Sequence, residues 1–181
     1  MSALDLMDYT YDDYKNWEGD WELIEGLPVS MAPAPMRIHQ QLAREIFFML
    51  QEELREECES CELLYEIDWK ISQESVVRPD IVLTCDDDGE AYLTKAPKII
   101  FEILSPSTAK KDETVKFDLY EAEGVQYYIL VYPDDLKAKA YTLKEGKYRK
   151  ISDFTHEKLD FEDVACDLEL DFERVFRKYK K

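Results

Sequence analysis

The most informative stretch for predicting the fold is residues 97–133, PKIIFEILSPSTAKKDETVKFDLYEAEGVQYYILVYP. The apolar run within 97–105 is typical of a buried strand. Residues 108–123 have the marks of a helix, with Ser or Thr at the start, acids in the first turn and Gly124 at the end. Residues 125–133 form a second apolar strand. The pattern therefore predicts two parallel strands joined by a right-handed helical crossover.

The flanking segments extend this unit into a sheet. Short links between the preceding strands favour antiparallel pairing. We predict a mixed β-sheet flanked by helices, α/β or α+β depending on the scheme. The other predicted elements are a hairpin turning at Glu25-Gly26, a helix within 36–57, strands within 61–72 and 75–89, a hairpin turning at Glu145-Gly146, and a short helix within 171–181.

Length and composition favour one globular domain. The chain has 181 residues, of which 45% are hydrophobic and 13% aromatic, enough for a sizeable core. We divide it into a hairpin and helix at about 14–57, a core at about 61–152 and a tail at about 153–181. No apolar run approaches the roughly 20 residues of a membrane helix, and the acidic N-terminus lacks the pattern of a signal peptide. We therefore expect a cytoplasmic protein with no membrane partner.

Charge weighs against nucleic acid as a ligand. The net charge is −18, and phosphate binding depends on Lys and Arg. The charge is uneven, however: residues 1–66 carry 16 acids and 4 bases, whereas residues 91–120 carry 4 acids and 5 bases. The second segment, which contains the predicted crossover, is therefore not acidic and could contact a phosphate, and the C-terminal RVFRKYKK is basic too.

Four cysteines occur, and two of them form a C-x-x-C at Cys58 and Cys61. A second such pair would indicate zinc, but Cys85 and Cys166 stand apart in the sequence. The neighbouring acids also disfavour thiolates. Reduced thiols are therefore favoured over a metal or redox role.

Two carboxylates could meet at the start of the crossover. Glu102 lies inside the apolar run IIFEIL, where an unpaired charge is costly, and Asp80 follows Pro79 beside the apolar IVL. Neighbouring strands lie about 4.8 Å apart, so the two side chains can approach each other. Such a pair repels until a proton or a divalent cation relieves it, and it suits a hard metal such as Mg²⁺.

The crossover helix would supply a cation. Asp112, Lys116 and Tyr120 are spaced i, i+4, i+8 and share one helical face. A helix packed on the sheet could direct Lys116 toward Glu102, where an ammonium would orient a water and stabilise developing charge. Two alternatives remain open. The Glu102–Lys116 contact could be a structural ion pair, and Lys116–Asp112 could be a surface helix pair. His39 is a candidate base, although a lone His is more often a cap or surface residue.

Three motifs in order resemble a known family. The chain resembles the Uma-type restriction endonucleases of the PD-(D/E)XK superfamily. The resemblance rests on RPDIVL, APKIIFEILSPST and KKDETVKFDLYEAEGVQYYILVYPD, and on the preceding WELIEGLPVSMAPAPMRIHQQLAREI. The resemblance covers about residues 14–143 and implies a restriction-endonuclease-like core. It matches the motif carboxylates to Asp80 and Glu102. The superfamily lysine would fall at Leu104, so the resemblance implies that Lys116 has taken its role.

The resemblance implies a Mg²⁺- or Mn²⁺-dependent endonuclease. Asp80, Glu102 and the backbone carbonyl of Ile103 would bind the metal, and Lys116 would orient the water. The expected substrate is nucleic acid, DNA first, and we expect a homodimer. Residues of second rank are Glu25, His39 and Tyr120.

A second departure from the family keeps other functions in view. The family has Glu-Tyr-Trp where this chain has Tyr127-Tyr128-Ile129. Together with Leu104 and the acidic charge, this favours as an alternative a catalytically inactive protein of the nuclease fold. Such a protein would serve as an interaction partner or as a dimeric regulatory subunit.

Overall fold

The computed structural model describes residues 8–31, 35–54 and 58–180. Their strands are β1 (Trp21–Ile24), β2 (Leu27–Ser30), β3 (Cys61–Tyr65), β4 (Trp69–Lys70), β5 (Val76–Val77), β6 (Ile81–Cys85), β7 (Ile99–Ile103), β8 (Tyr127–Tyr132), β9 (Lys137–Lys144), β10 (Lys147–Phe154), β11 (Lys158–Phe161) and β12 (Leu168–Asp171). Their α-helices are α1 (Tyr11–Tyr14), α2 (Arg37–Glu53), α3 (Ala109–Glu113), α4 (Val115–Ala122) and α5 (Phe172–Phe176). A 3₁₀ turn follows α5 at Arg177–Tyr179.

The central sheet has six strands in the order β10-β9-β8-β7-β6-β3. In this sheet β7 and β8 pair in parallel, and the other neighbours pair antiparallel. The predicted mixed sheet with flanking helices is therefore confirmed. A four-stranded sheet, β2-β1-β5-β4, and a two-stranded sheet, β11-β12, complete the architecture. No helix among the described residues is long and apolar enough to span a bilayer.

The crossover helix is interrupted, whereas the sequence predicts one helix over 108–123. Thr114 separates α3 from α4 with φ −126° and ψ −76°, outside the helical region. Its hydroxyl donates to the carbonyl oxygen of Lys110 at 2.6 Å. A β-branched residue that bonds to the preceding turn in this way disfavours a regular helix.

The two faces of the central sheet carry separate apolar clusters. On β7, Ile99, Phe101 and Ile103 belong to the cluster that includes residues of α2 and α5. Ile100 belongs to the other cluster, which includes Tyr120 of α4. Side chains alternate along a strand, so Glu102 lies on the α4 face with Ile100. Ile81 of β6 pairs with Phe101, and the same register continued by one residue places Asp80 opposite Glu102.

The small N-terminal sheet lies close to the start of β6, where Asp80 is placed. The β1–β2 hairpin turns at Glu25 and Gly26, whose φ angles of 51° and 75° suit a two-residue turn. Leu23 of β1 pairs with Val76 of β5. Since β5 is followed by Arg78, Pro79 and then Asp80, this pairing brings β1 close to the start of β6.

The four cysteines lie close together, which the sequence did not predict. Disulfides join Cys58 to Cys166 and Cys61 to Cys85, so the prediction of separate reduced thiols is wrong for this structure. Cys61 and Cys85 are directly opposite each other in the β3–β6 register. Cys166 comes from the segment between β11 and β12, and its approach to Cys58 depends on tertiary packing that spacing in the sequence cannot show.

Candidate active site

A cleft of about 290 Å³ opens where β6 begins and β7 ends. The three predicted catalytic residues, Asp80, Glu102 and Lys116, all line it, together with His39 and Ile103. They come from α2, the entry to β6, strand β7 and helix α4. The crossover brings them together because it returns α4 over the sheet face that carries Glu102.

Lys116 and Glu102 form a buried ion pair at the base of the cleft. The distance from Lys116 Nζ to Glu102 Oε1 is 2.9 Å, and the two residues are 2% and 3% exposed. Tyr120, one turn further along α4, donates its hydroxyl to the same oxygen at 2.9 Å. The predicted face of Asp112, Lys116 and Tyr120 is therefore the buried face of the crossover segment.

Glu22 of β1 is a site residue that the sequence reasoning missed. It is fully buried, and its Oε1 lies 2.8 Å from Lys116 Nζ and accepts the backbone N–H of Arg78 at 3.0 Å. Its Oε2 accepts from Lys111 Nζ at 2.6 Å. The signal that could have found it is the one that singled out Glu102, a carboxylate flanked by apolar residues in a strand, here WELI.

Lys116 lies between two carboxylates whose pKa values move apart. Burial alone would raise the pKa of Glu22, but the ammonium groups of Lys116 and Lys111 lower it to about 2. Burial raises the pKa of Glu102 against the opposing effect of the Lys116 ammonium, and the nearby carboxylates of Asp112 and Asp80 add to the rise. Burial would lower the pKa of Lys116, yet Glu102 and Glu22 raise it well above its usual range. Glu22 thus stays ionised at neutral pH, whereas Glu102 holds a proton more readily than an ordinary carboxyl group.

Asp112 adds a third buried carboxylate. It lies 3.8 Å from Lys116 Nζ, and both residues are 2% exposed, so the alternative of a surface helix pair is wrong. Its Oδ1 is buried without a hydrogen-bond partner among the described residues. Burial raises the pKa of Asp112 despite the neighbouring Lys116 ammonium. Negative charge at this end of the cleft is therefore only partly neutralised.

Asp80 is positioned by strand β7 and helix α2. Its Oδ2 accepts the backbone N–H of Ile103 at 2.6 Å and lies 3.2 Å from His39 Nε2. Burial lowers the pKa of His39, but the hydrogen bond and charge of Asp80, together with Glu66 and the Ile103 backbone, raise it on balance. The amide of Ile103 thus orients the carboxylate, whereas its carbonyl is the group that the sequence predicts as a metal ligand.

Two further positions lie away from the cleft. Glu25 is exposed in the β1–β2 turn and does not line the cleft, because the hairpin directs Glu22 rather than Glu25 toward Lys116. Tyr127, which replaces the family's Glu, lies in the cluster on the opposite sheet face and donates its hydroxyl to the carbonyl oxygen of Glu162. That departure therefore leaves the cleft itself unchanged.

The cleft residues fit a hard divalent cation. Two lysines, Lys111 and Lys116, face a larger set of carboxylates at this site: Glu22, Asp80, Glu102 and Asp112. Carboxylate oxygen is the ligand that Mg²⁺ prefers, and one or two carboxylates usually suffice. Among the described residues, three or more His, Cys, Asp or Glu ligand atoms lie within 4.8 Å of one another in one place, and that group consists of cysteines. The cleft carboxylates do not form such a group. A metal here would thus rest on two carboxylates, with water and phosphate oxygens completing its shell.

Comparison with known proteins identifies the family of the chain. The model of the Uma2 family, described as putative restriction endonuclease, matches residues 9–173. The chain belongs to the Uma2 family. The Uma2 chain also superposes on the crystal structure of a putative nuclease belonging to DUF820 from Anabaena variabilis, with a TM-score of 0.75 and 18% identity over 93% of this chain and 97% of that one. That likeness shows a shared fold. No curated protein sequence matches the chain.

Proposed function

We propose that this Uma2 protein is a Mg²⁺- or Mn²⁺-dependent endonuclease that hydrolyses phosphodiester bonds, with DNA as the first substrate to test. The observation that carries the proposal is the position of Lys116. Its Nζ lies 2.9 Å from Glu102 Oε1 in a cleft that Asp80 also lines. Membership of a restriction endonuclease family supports the same reading.

Asp80 and Glu102 are the residues that would hold the metal. Glu102 Oε1 accepts from Lys116 and Tyr120, so Oε2 is the oxygen proposed to face the ion. Asp80 is held by the Ile103 amide through Oδ2, and Oδ1 takes the corresponding role. When bound, the metal would polarise the scissile phosphate and lower the pKa of a nucleophilic water.

Lys116 would orient the attacking water and stabilise charge on the phosphate. The superfamily position for this lysine is Leu104, which is buried in the apolar cluster on the Glu102 face and also lines the cleft. A lysine from α4 therefore reaches the same carboxylate from the facing helix. Its pKa is raised well above the usual range by Glu102 and Glu22, despite burial, so it remains an ammonium and acts as a positioning and charge-stabilising group rather than as a base.

A cleavage assay with matched variants tests the proposal. Supercoiled, linear and single-stranded DNA and RNA are incubated with Mg²⁺ or Mn²⁺, and cleavage is compared for Glu102→Gln, Lys116→Met and the wild type. The exposed Glu123→Gln and Lys110→Met serve as controls of the same chemistry outside the cleft. We expect cleavage to disappear in the cleft variants and to persist in the controls. Cleavage that survives both cleft changes would refute the assignment.

One observation favours the alternative of an inactive nuclease fold. Lys116 already contacts two carboxylates, and a structural ion pair needs nothing more. The net charge of −18 also opposes the approach of a polyanion. An inactive protein predicts no cleavage and no thermal shift on addition of Mg²⁺ or Mn²⁺. Light scattering on the same samples tests the homodimer that we also propose.

A further inference from the structure

Four cysteines from distant parts of the chain meet at one end of the central sheet. Cys58 follows α2, and Cys61 is the first residue of β3. Cys85 is the last residue of β6, and Cys166 lies between β11 and β12. In the structure they form two disulfides, one between Cys58 and Cys166 and one between Cys61 and Cys85.

Three of the four sulfur atoms form one cluster that spans both bridges. The Sγ atoms of Cys58, Cys61 and Cys166 all lie within 4.8 Å of one another, although Cys61 belongs to a different disulfide from the other two. The Sγ of Cys85 is joined to that of Cys61 and lies outside this group of three, so it would have to move toward the other two sulfurs to complete a four-sulfur site. Tetrahedral zinc with Zn–S bonds of 2.3 Å places its sulfurs about 3.8 Å apart. Two independent disulfides do not require this proximity, whereas a metal site does.

The local backbone at Cys58 and Cys61 suits a metal ligand pair. The N–H of Cys61 donates to the carbonyl oxygen of Cys58 at 3.1 Å, so the C-x-x-C forms a tight turn. The N–H of Asp86, next to Cys85, donates to the carbonyl oxygen of Ser60 within that turn at 2.8 Å. The turn and the end of β6 are therefore held together by main-chain contacts that do not depend on sulfur.

We propose that the four cysteines, in their thiol form, bind one structural Zn²⁺. On binding, each S–H bond breaks, the sulfur lone pair forms a Zn–S bond, and the proton passes to solvent. Four thiolates leave no open coordination position, which is the arrangement of structural rather than catalytic zinc. The tight C-x-x-C turn would supply two ligands, and Cys85 and Cys166 the other two.

The position of the cluster explains what the metal would do. Strand β3 is an edge strand of the central sheet, and β11–β12 is a separate two-stranded sheet. A zinc ion shared by Cys61, Cys85 and Cys166 would link the edge to the C-terminal segment. Asp80 lies at the opposite end of β6 from Cys85, about 16 Å away at about 3.3 Å per residue. Zinc binding and nuclease chemistry are therefore separable in experiment.

Metal and thiol analysis of the full chain tests the proposal directly. The protein is expressed in a reducing cytoplasm with added zinc and purified under an inert atmosphere, and zinc is measured by plasma mass spectrometry. We expect one zinc per chain and four thiols that react with a disulfide reagent only after the metal is released. Protein that lacks zinc, whether its cysteines are free thiols or disulfides, would overturn the proposal.

Thermal unfolding separates zinc from disulfides as the stabilising bond. Melting curves are recorded with a phosphine reductant, with a zinc chelator, and with both, always in excess Mg²⁺ so that the Asp80–Glu102 site is not depleted. The zinc proposal predicts that the reductant alone leaves the melting temperature unchanged and that the chelator lowers it. A fall caused by the reductant and unaffected by the chelator would contradict it.

Cobalt supplies a spectroscopic test that does not depend on a stable variant. Replacing zinc by Co²⁺ should produce the intense thiolate-to-cobalt charge-transfer band and the visible bands of a tetrahedral site. Cys166→Ser should weaken these bands, whereas Ser60→Ala, in the same C-x-x-C turn, should retain them. If wild-type protein with four free thiols gives only the pale spectrum of hydrated Co²⁺, the site does not exist.

Discussion

Glu22 Oε1 lies 2.8 Å from Lys116 Nζ, and both side chains are buried. The contact joins β1 of the small N-terminal sheet to α4 of the crossover. Lys116 is thereby held by a second carboxylate in addition to Glu102, so a long flexible side chain has one defined position. The candidate site thus depends on a residue that lies far from its motifs in the sequence.

Glu22 should make stability dependent on pH in the acid range. Lys116 and Lys111 lower its pKa from the ordinary 4.5 to about 2, despite burial. Its contribution is therefore fully present above the unfolded value of 4.5 and is lost as the pH falls toward 2. A shift of this size corresponds to about 3 kcal/mol.

Glu22→Gln should remove this contribution. We expect urea unfolding at pH 7 to show a loss of about 3 kcal/mol, and the gap to the wild type to close as the pH falls below 4.5. The exposed Glu123→Gln provides the control. A gap that stays constant with pH would mean that Glu22 acts through packing rather than through its charge.

A double-mutant cycle should show strong coupling between Glu22 and Lys116. Lys116→Met leaves buried carboxylates without their ammonium and should cost about 3–5 kcal/mol. The double variant with Glu22→Gln should cost less than the sum of the two single changes, because both charges are then absent. The corresponding cycle with Lys111→Met should give a smaller coupling, since the Lys111 side chain is 18% exposed. Additive effects of Glu22 and Lys116 would contradict the buried network.

A lysine at position 104 should partly replace Lys116. Leu104 lines the cleft and packs on the same sheet face as Glu102. Adding Leu104→Lys to Lys116→Met restores an ammonium at the superfamily position, and we expect part of the metal-dependent cleavage to return. Leu104→Met in the same background keeps the size without the charge and should not restore it. Equal inactivity of the two double variants would contradict the prediction that an ammonium at position 104 can replace Lys116.

Tyr120→Phe should weaken the position of Glu102. The change removes the hydroxyl that donates to Glu102 Oε1 at 2.9 Å and should lower the free energy of unfolding by about 1 kcal/mol. If the whole of this interaction energy stabilises the transition state, the cleavage rate should fall about fivefold. Tyr148→Phe is a matched control, because the buried Tyr148 hydroxyl has no hydrogen-bond partner among the described residues. Calorimetry and initial cleavage rates measure both effects, and equal losses in the two variants would contradict the role of Tyr120.

Several parts of the fold could be predicted because they depend on local patterns. The crossover follows from apolar strands around a capped helical segment, and the two hairpins follow from Glu-Gly turns. Strands β11 and β12 were not predicted, since each is only four residues long and lies in a charged segment. The interruption at Thr114 also escaped prediction, because a single threonine is common within regular helices.

Local sequence patterns are enough to predict the mixed sheet, the buried carboxylate of Glu102 and the helical face that carries Lys116. Periodicity carries this information, since residues two apart in a strand or four apart in a helix share a face. The contact of Glu22 with Lys116 and the approach of the four cysteines become visible only in the folded chain. These contacts join separate sheets and chain segments, and their geometry depends on how the sheets pack rather than on any spacing along the chain.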